Sequence, residues 1–373
     1  MTQPTILARA PGKLLLLGEY AVLEPGSRAL VAAVDRFVEA RIGPAATPTL
    51  DCPDLGLVGL AGELRPGAVR WSGCDEPEQA RKLAFVDHVL KLVLGAALRR
   101  GARVKPFALR IESQLGVGRD KAGLGSSASV SAAVAAAALA WCAGPETSSA
   151  LTPEATAIFQ AAALAHYLAQ GRKGSGADVA AAVTGGIVAY RNPGLDELLG
   201  GTGEADAALE RPWPLLELAP VPWPAGHVLV VGATGAGAST TGLIARVDAL
   251  RGDAAARYAA LRRELGNLAS YAAAAPTAEV LGHAMEAHQR ALERFEDSCG
   301  GEIGIVTPAI ARLIGIARAL DVPAKISGAG GGDSVIALVE RERAGTIVDA
   351  WHAAGTAVFT IAEPVPGLTI SRE

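Results

Sequence analysis

The chain has 373 residues, half of them hydrophobic and 19% charged, with a formal net charge of −4. That balance excludes a disordered chain and leaves no broad basic surface for nucleic acid or an anionic membrane. The length exceeds what one hydrophobic core usually organises, so two domains are expected.

Charge is unevenly distributed by type. There are seven lysines against 27 arginines, and Lys13, Lys121, Lys173 and Lys325 each sit beside a glycine-rich stretch. A compact ammonium next to flexible backbone is a common phosphate-site combination, although lysine and glycine also share a preference for surface loops. The four cysteines are scattered, and His283 and His288 are five apart, off one helix face. Neither a structural zinc site nor a disulfide framework is expected. The apolar run at 14–17 is too short for a secretory signal, and the Ala-rich run after Ser127 reads as too short and too weakly apolar to span a bilayer. A cytoplasmic location is the expectation.

In chain order, residues 5–10 read as a short strand that Ala10-Pro11-Gly12-Lys13 breaks, delivering a lysine to a buried apolar strand at 14–17. After Gly18-Glu19-Tyr20-Ala21-Val22-Leu23 and a turn at Glu24-Pro25-Gly26, residues 29–34 and 37–42 read as strands. Residues 43–80 suggest irregular strands and loops. Helical spacing from Lys82 to Arg100 ends at Gly101, and 107–113 is a strand.

Gly123-Leu124-Gly125-Ser126-Ser127-Ala128-Ser129-Val130-Ser131 then leads into an Ala-rich run, which predicts a helix starting near Ser127. A helix N-terminus carries unsatisfied N–H groups and a partial positive charge, and glycines before it let a ligand approach the backbone. That combination makes an anion site, most often for phosphate, and the hydroxyls of Ser126 and Ser127 suit magnesium. An ordinary loop with a serine cap is the alternative.

A second helix over 153–170 ends at Gly171-Arg172-Lys173-Gly174-Ser175-Gly176-Ala177-Asp178-Val179, where Asp178 reads either as a turn residue or as a carboxylate poised near a cation. A strand at 186–191 closes the first domain (1–191), and the loop-rich 192–225 opens the second (192–373). Gly232-Ala233-Thr234-Gly235-Ala236-Gly237 after a strand at 227–231 imitates a dinucleotide-binding turn. The helical residues 253–265 stand where the second parallel strand belongs, so a dehydrogenase is rejected. Helices near 254–273, 277–297 and 308–320 follow, then a strand at 324–327, the dense turn Gly328-Ala329-Gly330-Gly331-Gly332-Asp333, a strand at 335–339, a helix near 341–354 and a strand at 357–361.

Three stretches in one order, Ala10 through Leu23, Gly123 through Ser131 and Lys325 through Asp333, resemble the GHMP small-molecule kinases across nearly the whole chain. Gly18-Glu19-Tyr20-Ala21-Val22-Leu23, Lys82 to Val86, Gly174 to Ala180, Ala238-Ser239-Thr240 and Asp333 look most like the phosphomevalonate branch of that family. The resemblance implies an α+β, two-domain architecture: a ribosomal-S5-like first domain and a ferredoxin-like second domain. It implies ATP wrapped by Gly123, Leu124, Gly125, Ser126, Ser127, Ala128 and Ser129, with Ser126 or Ser127 helping to hold Mg2+.

Asp178 and Lys13 would flank the attacking oxygen. Tyr20, Lys82, Lys121, Ser175, Ser239, Thr240, Ser327, Gly328, Ala329 and Gly330 would shape the acceptor side, with 5-phosphomevalonate as acceptor. Mevalonate or another sugar or alcohol acceptor is the alternative, as is a non-catalytic ligand sensor. Some mevalonate kinases hold magnesium with a Glu shortly before the catalytic Asp; here Ala169-Gln170-Gly171 stands nearby and supplies none.

Overall fold

A computed structural model of the chain describes residues 3–73, 76–115, 123–144, 153–200, 205–235, 240–332 and 334–373. In the first half, strands β1 (Ile6–Leu17), β2 (Arg28–Pro44), β3 (Thr49–Cys52), β4 (Leu57–Arg65) and β5 (Ala68–Trp71) precede helix α1 (Pro77–Arg99) and strand β6 (Phe107–Ser113). Helices α2 (Ser126–Ala143), α3 (Ala155–Ala169) and α4 (Ala177–Thr184), strand β7 (Ile187–Arg191) and the short helix α5 (Leu195–Leu199) follow. The second half contains β8 (Glu217–Val221), β9 (His227–Ala233), α6 (Thr240–Asp248), α7 (Gly252–Ala274), α8 (Ala278–Ser298), α9 (Pro308–Ala319), β10 (Ala324–Ser327), β11 (Ser334–Glu340), α10 (Ala344–Ala353), β12 (Ala357–Ile361) and β13 (Thr369–Arg372).

The strands form a nine-stranded sheet and a four-stranded one. The smaller runs β10-β11-β9-β12. With β9 as its first strand, that is the βαββαβ order of a ferredoxin-like domain, enlarged by α6 to α9 before the second strand. β9 is antiparallel to both β11 and β12, which leaves the glycine turn after it without the parallel neighbour of a dinucleotide-binding fold. The larger sheet is not confined to residues before 191: β8 pairs with β7, and β13 returns to pair with β1.

The expected break at Ala10–Lys13 is a bulge inside one continuous strand, with the β1–β2 register shifting between Pro11 and Gly12. A proline lacks the ladder donor and is tolerated at such a position. β13 covers β1 only from Ile6 to Arg9. Beyond that, the edge of β1 accepts the loop before α2, whose Leu124 carbonyl takes the Lys13 N–H at 2.8 Å.

Helix α2 is the centre of the first domain, packed on β1 and β2 and flanked by α1, α3 and α4. At 18 residues it is long and apolar enough to cross a membrane by length and composition, contrary to the sequence expectation, yet 72% of it is buried inside the protein. Its polar face is missing because it has no solvent side. Ala132 to Ala138 let five neighbours approach closely, which larger side chains would prevent. The hydrophobic core runs on from here into the second half through Leu229, Val231, Ala269, Ala284 and Met285.

Candidate active site

Helices α2 and α4 both start at a left-handed glycine, Gly125 (φ 78°) and Gly176 (φ 86°). Asp178, read from sequence as a loop residue, lies in the first turn of α4, where a carboxylate is favoured by the helix dipole. Its Oδ2 lies 3.2 Å from Lys13 Nζ. The Lys13 side chain runs directly over Gly125: a Cβ there would come within 2.6 Å of Lys13 Cγ and 2.9 Å of Cε. The glycine therefore does two jobs, making the left-handed turn and giving the lysine its path to Asp178.

Gly125→Ala is accordingly expected to cost about 1–2 kcal/mol from backbone strain alone and to lower turnover by displacing Lys13. Urea unfolding and kcat of the purified variant measure the two effects, and wild-type turnover in the variant would contradict the second.

The remaining residues of the loop divide into two groups. Gly123 (φ 67°) turns the chain, and Ser126 and Ser127 open the helix. Ala128 and Ser129 are buried, and the Ser129 hydroxyl donates to the Pro11 carbonyl at 2.8 Å. Ser129 thus clamps α2 to the β1 bulge rather than facing a ligand. Ser175 is also buried: its Oγ accepts from Ala177 N at 3.3 Å, and its carbonyl accepts from the Tyr190 hydroxyl.

On the second-domain side, Tyr20 is buried in a left-handed conformation (φ 59°) and its hydroxyl donates to the Ala329 carbonyl. Ser327 Oγ accepts from Leu15 N at 3.0 Å. Gly328 N donates to Glu19 Oε1 at 3.3 Å, and Gly330 passes so near the Ile305 carbonyl that a Cβ would lie 2.4 Å from it. These contacts tie the dense glycine turn to the strand that carries Lys13. Lys82 sits on an exposed turn of α1, 3.1 Å from Glu78, and Lys173 is exposed. Lys121, Ser239 and Asp333 lie outside the described residues, and Thr240 is the first residue of α6.

Lys325 is not a phosphate-facing lysine. It is fully buried, in an ion pair with Glu19, which also lies 2.9 Å from His288 Nε2. Burial pushes the Glu19 pKa up, but the Lys325 ammonium, then His288 and their hydrogen bonds, outweigh it and hold the carboxyl down at about 2. Burial lowers both Lys325 and His288.

His166 and Gln170 were not singled out from the sequence. His166 Nε2 lies 3.0 Å from Ser127 Oγ, and the Gln170 carboxamide nitrogen lies 2.9 Å from the same ring nitrogen. Burial lowers the His166 pKa to about 4, with Asp178 acting upward and Lys13 downward. The i, i+4 spacing of His166 and Gln170 just before the glycine loop was the available signal.

The N-terminal domain model of the GHMP kinases matches residues 86–186, and the C-terminal domain model matches 269–362. A phosphomevalonate kinase from Streptomyces sp. (strain CL190) is 34% identical, covering 98% of this chain and 99% of its own length. The chain belongs to the GHMP kinase family. A mevalonate kinase from Thermococcus sibiricus is 28% identical over 91% of this chain and 90% of its own. The fold is shared with Streptococcus pneumoniae phosphomevalonate kinase solved in complex with phosphomevalonate and AMPPNP, with TM-score 0.77, 24% identity, and coverage of 96% of this chain and 99% of that one. This GHMP kinase is a phosphotransferase, and its N-terminal match contains α2, its glycine loop and Asp178.

Proposed function

We propose that the chain transfers the terminal phosphoryl group of ATP to the phosphate of 5-phosphomevalonate, giving 5-diphosphomevalonate and ADP. The observation that carries the chemistry is the Lys13–Asp178 pair, 3.2 Å apart, assembled over the glycine that starts α2. The acceptor rests on the full-length likeness to a phosphomevalonate kinase.

Phosphoryl transfer needs positioning and charge neutralisation more than covalent chemistry. The N-terminus of α2 offers backbone N–H groups and the positive end of a dipole to the ATP phosphates. An acceptor phosphate monoester has a second pKa near 6, so its attacking oxygen is mostly ionised at neutral pH. The new bond forms from that oxygen to the γ-phosphorus as the bond to the β-phosphate oxygen breaks. Lys13 supplies positive charge at the transfer point. Asp178 fixes the direction of that ammonium and is not asked to remove a difficult proton.

No group of three or more His, Cys, Asp or Glu residues suited to a metal occurs among the described residues. Ser126 and Ser127 hydroxyls beside nucleotide phosphates fit Mg2+, which keeps several waters and binds substrate phosphates with few protein ligands. When bound, Mg2+ would supply charge neutralisation to the phosphates. Water-soluble anionic substrates accord with a cytoplasmic enzyme.

ADP release coupled to an indicator enzyme tests the proposal. 5-Phosphomevalonate is expected to give a higher kcat/KM than mevalonate. Its KM is expected to rise below about pH 6, where the monoester loses its second charge, with a second acceptor controlling for titration of enzyme and ATP. A higher kcat/KM for mevalonate would replace the acceptor and leave the kinase class standing.

A further inference from the structure

The last turn of α3 touches both halves of the catalytic centre without belonging to either. Ser127 Oγ lies 3.0 Å from His166 Nε2, and the Gln170 carboxamide nitrogen lies against the same ring, 2.9 Å from Nε2 and 3.4 Å from Nδ1. Gln170 in turn abuts the turn that leads to Asp178: a Cβ on Gly174, which has φ 100°, would lie 3.2 Å from Gln170 Oε1. The Phe85 ring lies against the imidazole, 5.3 Å between centroids and tilted by 31°, so the ring is held on its face as well as its edge. His166 is buried. A buried, ring-packed histidine whose edge points to a partly accessible serine at a helix start is more than filler, since an apolar side chain would fill the same space.

Resting on the proposed kinase function, we propose that His166 is a positioning residue for Ser127, holding its hydroxyl by Nε2 so that the oxygen faces the metal–nucleotide complex. We assign the ring proton to Nδ1, which leaves Nε2 to accept from the Ser127 hydroxyl. A hydroxyl that gives its hydrogen to an imidazole keeps its oxygen lone pairs for a cation, whereas a freely rotating hydroxyl spends part of its time presenting hydrogen. Gln170 extends the same support to the Asp178 turn, so one helix end sets the spacing between the metal side and the transfer side. Partners of this kind behind a metal ligand typically matter by roughly ten- to hundredfold in affinity or activity.

The test is binding of Mn2+ with a non-hydrolysable ATP analogue, read by electron paramagnetic resonance and calorimetry on the full chain, beside steady-state kinetics. His166→Phe keeps the stacking on Phe85 and removes Nε2. It is expected to weaken the Mn2+–nucleotide complex by about ten- to hundredfold while leaving the KM for the acceptor unchanged. His166→Gln, whose carboxamide reaches the position of Nε2, should recover most of the loss.

Ser127→Ala should match His166→Phe, and the double variant should be no weaker than the weaker single one, because both remove the same interaction. Unchanged Mn2+–nucleotide affinity in folded His166→Phe, fully additive losses, or His166→Gln as weak as His166→Phe would each overturn the inference. Should His166→Phe not fold, Ser127→Ala alone carries the test, and unchanged affinity there overturns it too. Wild-type protein that binds no nucleotide would instead remove the proposed function; the inference fails by itself when wild type binds and the variants bind equally.

Discussion

Replacing Asp178 by Asn is expected to lower kcat by roughly 10²–10³ with little change in either KM. The carboxylate lies 3.2 Å from Lys13 Nζ, and the pair is assembled by two helix starts and a strand bulge rather than by a flexible loop. An amide in the same place keeps the shape and one hydrogen-bond acceptor but loses the charge that fixes the ammonium. Lys13 is then free to drift from the position where charge develops between donor and acceptor, and positioned electrostatics act mainly in the transition state. Steady-state kinetics with both substrates saturating decide the matter, once circular dichroism shows the variant folded. Near-normal turnover would separate this ion pair from the chemistry. If the acceptor is an alcohol rather than a phosphate monoester, Asp178 must also act as base, and the loss in the variant should be larger.

The second large effect is on stability. Lys325→Met is expected to cost about 3–5 kcal/mol, the usual consequence of removing one partner from a buried ion pair. Glu19 and Lys325 are both fully buried, and the pair ties the end of β1 to β10, the strand just before the dense glycine turn. Without the ammonium, Glu19 keeps only the buried His288 ring, whose pKa burial lowers, at 2.9 Å. The direction with pH follows from linkage. In the wild type the carboxyl sits at about 2, below its ordinary 4.5, so its contribution is complete above 4.5 and is lost as pH falls toward 2.

In the variant, burial dominates and raises that pKa above 4.5, so the deficit grows as pH rises through the raised value. Urea unfolding at pH 7 and at pH 5 should therefore show a smaller gap between variant and wild type at the lower pH. A gap that does not change with pH would mean that Glu19 is not charged in the wild-type cluster. The double variant Glu19→Gln with Lys325→Met should regain part of the loss, because it leaves no buried charge behind.

Much of the site was legible because its chemistry is local. Glycines 123 and 125 before an Ala-rich helix mark a candidate anion site from backbone physics alone, and the structure starts α2 one residue from the expected place. Lys13 beside a Pro-Gly step, and Asp178 after a glycine loop, were visible as residues out of their usual surroundings. Their meeting was not visible, because 165 positions separate them along the chain and only the packing of α4 against β1 brings them together.

Ser129 shows the opposite case. By sequence it belongs with Ser126 and Ser127, but helical geometry turns it inward onto the Pro11 carbonyl. Lys325 likewise resembled a phosphate lysine because a glycine run follows it. All four residues of β10 are buried, because β11 pairs with the strand and α8 and α9 pack on it, and composition does not encode that packing.

The sequence by itself determined the long helices, the strands that flank the glycine-rich turns, the rejection of a dinucleotide fold and the resemblance to a kinase family. The first three depend on residue type and short spacing, and the resemblance on the order of three short motifs along the chain. Tertiary structure alone decided that β13 closes the first sheet, that α2 is a core helix rather than a membrane span, and that Glu19, His288 and Lys325 form one buried cluster. It also decided that His166 reaches Ser127. For the last two the physical reason is the same: a buried polar or charged group is tolerable only beside its partner, and partners far apart in sequence are identified only when packing places them within hydrogen-bond reach.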